Sequence, residues 1–545
     1  MNRQYHLKLL LFLLVLPALA CGFGGTETGP PPNAEVVDVV ANTSLTPWLR
    51  EAIANFNEME IESEDGRPVY AVLTPNDAGQ AIANMADGPL PDLWIPDSTT
   101  WVEVLQAEGV ENFDSCVSVA ESPLVIAMWR PLAESLGWPG RELGWLDIGS
   151  LAADPGAWAY YSGGQFGETL RLGHTHPGLS ATGASTLLAV VQAAEAGEVA
   201  VEAEDVAQPI VQASVRAFES AVSWFSTNTA NLAQTMSERG IEFLGAAVVY
   251  ESDVIYYGQG DPEIVPIYPF EGTYLAEHVA CLNAASEDAE ATLLFRDYLS
   301  EGVAQEMASA FGLRPVDGSV ALAAPFDEAR GIDLSQPEVI FPTPDVDALF
   351  AAQELWQSAR KDVNLVMLLD VSGSMYGDKI DNMRRAAVQF VEQMGEDDVL
   401  TLIAFSAEPQ LLIRDQRVGD DRATIIQAIQ NLESQGDTTL YDAIGQGATL
   451  VADNTRTETT DAMIVLTDGN DTASYLYTAE EAAAAASASG ATVFTIAYGG
   501  DADEELLQQL ALSANGNYFQ GDEASITAIY QEMSAAFGGA VGVGR

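Results

Sequence analysis

Four stretches in the last third of the chain are apolar at nearly every position: VNLVMLLD (residues 363–370), DVLTLIAF (398–405), DAMIVLT (461–467) and ATVFTIAY (491–498). A strand with one face in water alternates apolar and polar residues, so an unbroken apolar run needs cover on both faces. Parallel strands receive that cover from their own crossover helices. Segments with helical apolar spacing are present to do this: KIDNMRRAAVQFVEQM (379–394), RATIIQAIQNL (422–432), LYDAIGQGATLVAD (440–453), TAEEAAAAASAS (478–489) and DEELLQQLALSA (503–514). The pattern predicts a doubly wound, parallel α/β unit over 362–537.

The same alternation starts much earlier. EVVDVVANT (35–43), PVYAVLT (68–74) and PDLWIPD (91–97) read as strands. TPWLREAIANFNEM (46–59), AGQAIANMADG (78–88) and TTWVEVLQAEG (99–109) read as helices, the first with Thr46 as N-cap and Pro47 in its first position. Strands SPLVIAMW (122–129), 243–250 and HVACLNA (278–284) continue the series, and two helices end at LRPV (313–316). The order predicts parallel sheet covered by helices over 35–345. FPTPDVD (341–347) marks a boundary, 346–361 a helical connector, and 538–545 a loose tail.

The N-terminus reads as an export signal over 1–21: Arg3, His6 and Lys8 precede the short apolar core LLLFLLVLPALA (9–20). Ala18-Leu19-Ala20 fits ordinary cleavage. Cys21 at the same place resembles a bacterial lipobox with Ala18 where leucine is usual, and would be the lipidated first residue of the mature chain. Residues 22–34 then form a flexible tether. Of the three cysteines, Cys116 and Cys281 remain, an even pair that in an exported chain predicts a disulfide rather than two buried thiols. The chain carries 80 acidic residues against 22 basic ones, a net charge of −58. Such a field repels phosphate backbones and excludes nucleic acid as a partner, while solubility accounts for most of it.

The strand 363–370 ends in Asp370, followed by Ser372 and Ser374. Ligands of parallel α/β sheets bind beyond the carboxyl ends of the strands. Two further loops of the unit carry matching oxygens: Thr438 in QGDTTLYDAI (435–444), with Thr439 as the alternative register, and Asp468 in IVLTDGND (464–471). Two carboxylates and three hydroxyls suit a hard dication, Mg²⁺ first, with Mn²⁺ or Ca²⁺ open. One such loop alone would read as helix capping; three in register read as a metal site. A phosphate-binding loop is excluded because DVSGSMYGDK lacks the Gly-Lys-Ser/Thr signature. An aspartyl-phosphate enzyme is disfavoured because Ser372 replaces the second aspartate. No general base is evident, so no catalytic residue is assigned and no enzymatic activity is expected.

On these residues, 362–537 resembles a von Willebrand factor A domain, whose metal-ion-dependent adhesion site is written D-x-S-x-S plus a threonine and an aspartate from two other loops. The resemblance implies a Rossmann-like fold, metal ligation by Asp370, Ser372, Ser374, Thr438 and Asp468, and a protein partner that supplies an acidic residue to the cation. Residues 35–345 resemble a bacterial extracellular solute-binding protein, two-lobed and periplasmic-binding-protein-like. This rests on VANTSLTPWLREAIANFN (40–57), PLPDLWIPDSTTWVEVL (89–105), LGHTHPGLSATGASTLLAV (172–190) and FRDYLSEGVAQEMASAFGLRPV (295–316). The hydroxyls of SATGAS (180–185) stand at a helix start, where free amides favour an anion or polar group. Ser44, Ser98, Thr99, Ser180 and Thr182 are the expected cleft lining, with simple N-capping the competing role. His174 and His176 are expected to be structural, and Trp94, Trp101, Trp129 and Trp224 to pack mostly in the core. The resemblances together imply an exported, lipid-anchored binding or adhesion protein of the cell surface or periplasm. The alternative is the substrate-binding component of a transport system, capturing a small solute, with an accessory A domain.

Overall fold

The computed structural model describes residues 29–539 and 542–543, apart from 168, 198, 323 and 456–458. The signal reading over 1–21, Cys21 and the first part of the 22–34 tether lie outside the described residues. Strands Glu35–Ala41, Val69–Pro75 and Leu93–Ile95 pair in parallel, as the βαβ order requires. The returning strand Val279–Asn283 then adds antiparallel to Leu93–Ile95 and to Phe113–Ser118, so the first sheet is mixed rather than purely parallel. Cys116 and Cys281, on these two neighbouring strands, form a disulfide. Helix Thr46–Glu58 buries Trp48, Leu49, Ile53 and Phe56 against this sheet. Its N-cap is Leu45 rather than Thr46, because a 3₁₀ turn at Thr43–Leu45 runs straight into it.

The second lobe is an excursion from the first. Strands Ser122–Trp129, Leu172–Thr175, Val222–Ser226, Ala246–Tyr250, Ile264–Ile267 and Leu275–Ala276 share one six-stranded sheet. Ser122–Trp129 is buried at every position, which its unbroken apolar sequence demands. Helices Ala181–Glu195 and Pro209–Glu219 cover this lobe.

Residues 362–537 form a six-stranded sheet with Asp362–Asp370 at its centre, flanked in parallel by Val399–Phe405 and Thr459–Thr467. Thr492–Tyr498 and the short Tyr518–Gly521 extend one side in parallel. Pro409–Arg417 closes the other edge antiparallel.

Helix Val346–Ala359 joins this unit to the second lobe. Trp356 donates its indole N–H to Glu219, whose other oxygen meets His174. Trp224 stacks on Phe494 at 5.7 Å. The segment expected to be a loose tail is pinned where described: Gly539 O accepts from His176, and Val543 N donates to Gly178 O. The four tryptophans singled out from sequence are all largely buried. Both Arg360, closing the connector helix, and Asp398 are buried and paired by two hydrogen bonds of 3.1 and 3.0 Å. Asp398 also accepts from the amides of Val363 and Gly395. Asp398→Ala strands the Arg360 guanidinium in the interior. It is expected to lower stability by about 3–4 kcal/mol in chemical denaturation.

Candidate functional site

Three loops at the carboxyl end of the central sheet are stitched together by their backbones. Gly373 N donates to Gly436 O and Gln435 N to Val371 O, joining the first loop to the second. Thr438 O accepts from the amides of Thr472 and Ala473, joining the second to the third. Within this frame Asp370 is fully buried. One of its oxygens accepts from Ser372 N at 2.8 Å and the other from Thr467 Oγ1 at 2.6 Å. Ser372 and Ser374 hydroxyls lie 3.0 Å apart, and Ser374 donates to Asp468 Oδ1 at 2.6 Å. A Cβ placed on Gly469 would sit 3.9 Å from Ser374 Oγ and 4.0 Å from Thr438 Oγ1. Ser374, Thr438 and Asp468 therefore gather around Gly469, with Ser372 beside Ser374 and the Asp370 carboxylate tied to the Ser372 amide. Thr439, the alternative register, is fully buried and donates to Ser406 O, which makes it structural.

Burial pushes the Asp370 carboxyl up, and the neighbouring Asp468 adds to this, while hydrogen bonds from Thr467 and Ser372 oppose it. The sequence alone did not place a positive charge at this site. Lys379, in the first turn of helix Asp378–Gln393, places Nζ 2.5 Å from Asp468 Oδ2. Its position nine residues after Asp370, at the second residue of the helix that follows the loop, was the available signal.

The donor set fits a hard dication: all oxygen, two buried carboxylates, and hydroxyls with free lone pairs. Among the described residues there is no group of three or more His, Cys, Asp or Glu side chains that could hold a metal ion, so hydroxyl oxygens would have to supply much of the coordination here. Asp370, Ser372, Ser374, Thr438 and Asp468 would hold the ion. A bound dication supplies a positive centre to which an outside carboxylate can coordinate.

A second polar cluster lies between the lobes. Ser44 donates to Asp253 at 2.8 Å. Ser180 and Thr182 share hydrogen bonds with Thr229, and Ser180 also donates to Asp77. Ser180 precedes helix Ala181–Glu195 but makes no side-chain cap bond, so capping does not explain it. Ser98 adjoins this cluster next to Asp97. It lines a cavity of about 50 Å³ with Asp97, Trp101, Tyr250 and Tyr274. Thr99 is solvent-exposed at the start of helix Thr99–Ala107 and touches neither place. Asp77, Asp97, Asp253, Thr43 and Thr229 were missed. Each precedes or opens a helix or follows a strand, where sequence alone reads a cap or a turn.

Burial is the main force raising Asp97 to about 7, aided by the charge of Asp77 and opposed by hydrogen bonds from Tyr250 and Asn42. Burial likewise raises Asp253 to about 7, with Ser44 and the Tyr250 amide opposing and Asp77 and Asp97 adding. Unfolded aspartates lose their protons near pH 4, whereas these keep theirs in the folded chain to about 7. The folded state therefore binds more protons between those values, and stability falls as pH rises through that window. Asp97→Asn is expected to flatten the fall and to exceed wild type by about 2–4 kcal/mol above pH 7, read by denaturation at either end of the window.

Residues 364–532 match the family model described as von Willebrand factor type A domain, and residues 37–314 match that of the bacterial extracellular solute-binding protein. The uncharacterized protein sll0103 of Synechocystis sp. is 29% identical over 158 residues, 29% of this chain and 37% of that protein. Inter-alpha-trypsin inhibitor heavy chain H3 of Mus musculus is 33% identical over 115 residues, 20% of this chain and 13% of that one. Both curated relatives are thus matched over well under half of their length. Among solved structures, the sulfate-binding protein SubI from Mycobacterium tuberculosis H37Rv aligns with a TM-score of 0.39 at 19% identity, covering 57% of this chain and 95% of that one. The von Willebrand factor type A protein from Catenulispora acidiphila aligns with a TM-score of 0.29 at 20% identity, covering 32% and 42%. The solute-binding match spans just over half of the chain, and the chain belongs to the bacterial extracellular solute-binding protein family, with a von Willebrand factor type A domain following that region.

Proposed function

We propose that this is an exported binding protein, tethered to a bacterial membrane through lipid on Cys21 and residues 22–34. Its A domain (362–537) grips a protein partner through a divalent cation held by Asp370, Ser372, Ser374, Thr438 and Asp468, Mg²⁺ foremost. The observation that carries this reading is the meeting of oxygen donors from three separate loops around Ser374 and Gly469, over a buried Asp370. The partner contributes a carboxylate to the cation. The ligand-bearing loops also expose Tyr376 at 84%, Tyr475 at 74% and Leu476 at 64%, amphipathic and apolar groups of the kind that anchor protein contacts. All of the chain's histidines precede the A domain, so the site has no imidazole base, which favours binding over hydrolysis. Among the described residues no helix is long and apolar enough to cross a membrane. Attachment in this reading is by lipid alone.

The test is capture of surface proteins on the immobilised full chain, with Mg²⁺ or with chelator. A set of acidic-faced proteins retained only with Mg²⁺, and lost with Asp370→Ala, is expected. A captured set indifferent to both chelator and Asp370→Ala would overturn the reading.

A further inference from the structure

The two lobes meet at a cradle of hydrogen-bond donors drawn from both. The first lobe supplies Thr43, just past strand Glu35–Ala41. The second supplies Ser180 and Thr229, at the starts of helices Ala181–Glu195 and Thr229–Arg239. A carboxylate already sits in it. Asp77 Oδ1 accepts from Thr43 N at 3.1 Å and Thr43 Oγ1 at 2.6 Å. Its Oδ2 accepts from Ser180 Oγ at 2.5 Å, Thr229 N at 3.0 Å and Thr229 Oγ1 at 3.0 Å. Asp77 is buried. It occupies the N-cap position of helix Ala78–Asp87 yet makes no cap bond there; one oxygen is committed to Thr43 of its own lobe and the other across the interface to Ser180 and Thr229.

The surrounding backbone is shaped to this closure. Gln80 N donates to Leu179 O across the lobes. A Cβ on Gly79 would come within 2.4 Å of Gly178 O, so a residue with a side chain would wedge the lobes apart. Hydroxyls, a free amide and helix N-termini are the equipment of an anion site, and charge-assisted bonds of these lengths are strong.

We propose that this cradle is an anion site whose resident ligand is the chain's own Asp77 carboxylate, which holds the lobes shut without a free solute. A free carboxylate or tetrahedral oxyanion enters only when that side chain is gone. Asp97, Asp253 and Tyr250 lie beside the cradle from both lobes, and the charge and bulk of the Asp77 carboxylate itself make entry of a second anion unfavourable. This proposal is independent of the metal site. It bears directly on solute capture, because a cleft filled from within is not free to receive an anionic solute.

The test is isothermal calorimetry and thermal melting of the wild-type chain, Asp77→Ala and Asp77→Asn with formate, acetate and sulfate, near about pH 6, where Asp97 and Asp253 keep their protons. The wild-type chain is expected to bind none of them. Asp77→Ala, which leaves a gap of carboxylate size, is expected to bind formate at least tenfold more tightly than either other chain and to regain thermal stability in it. Asp77→Asn keeps the cradle filled and is expected to gain nothing. Saturable anion binding by the wild-type chain, or a folded Asp77→Ala that binds none of the three, overturns the proposal. If Asp77→Ala folds only in formate, the proposal stands. If it folds in neither condition, hydrogen exchange of Asp77→Asn decides. Faster exchange at residues 78–80 and 177–180 than in wild type supports the lock, and unchanged exchange overturns it.

Discussion

Asp370→Ala is expected to weaken binding of Mg²⁺, Mn²⁺ and Ca²⁺ to the full chain by more than about 100-fold, the upper range seen for groups that orient metal ligands. Two effects add. The substitution removes one of the two buried negative charges that a dication would neutralise. It also removes the oxygen that fixes Ser372 N at 2.8 Å and the one that accepts from Thr467, so the serine loop loses its anchor. Asp370→Asn separates the effects, since its carbonyl still accepts from Ser372 while the charge is gone. Calorimetry should rank the affinities wild type first, then Asn, then Ala. Lys379→Met should move the other way, several-fold tighter than wild type. It frees Asp468 from an ammonium 2.5 Å away and lowers the positive potential a dication must approach. Equal affinities for wild type and Asp370→Ala would place any bound cation elsewhere.

The proposed metal site was legible as a cluster of oxygen-bearing residues because its members follow from local rules. An apolar strand must end, its carboxyl end faces the ligand side, and oxygen-bearing residues there have few other tasks. What local rules could not settle was register. Thr438 and Thr439 are adjacent, and only packing shows Thr439 turned inward to Ser406 while Thr438 stays near Ser374. The pairing of Lys379 with Asp468 was not legible for a similar reason, since a lysine in a first helical turn reads as solvated.

The lobes show the limits more sharply. Parallel pairing was legible for Glu35–Ala41, Val69–Pro75 and Leu93–Ile95, whose order is βαβ. The antiparallel entry of Val279–Asn283 was not, because nothing in a strand's own residues states its direction. The edge strand Pro409–Arg417 was also missed. Only Ile413 is buried along it, so it carries neither an apolar run nor a clean alternation. Asp77 is the extreme case: its partners at positions 43, 180 and 229 are brought together only by closure of the lobes, and an aspartate before a helix has an ordinary explanation in capping.

Cys116→Ala with Cys281→Ala is expected to remove about 5 kcal/mol of stability on the chain-entropy account, given the separation of 165 residues. The topology says where the loss falls. The chain leaves the first lobe after strand Phe113–Ser118, builds most of the second lobe, and returns as strand Val279–Asn283 beside its point of departure. The disulfide ties the stem of that excursion, so without it the unfolded ensemble must find a closure between distant residues before either strand can pair. Cys281 is fully buried beside Trp94 while Cys116 is half-buried, which limits solvent access to the bond to the Cys116 side in the folded chain. Reductant should therefore act slowly on native protein and quickly once denaturant opens the first lobe. The measurement is a denaturation midpoint for the double-alanine chain, beside wild type with and without reductant. The double variant should match reduced wild type and lie well below the oxidised chain. Coincident midpoints for all three would mean that the strand pairing alone holds the stem, and that the bond adds nothing an oxidising compartment would be needed to preserve.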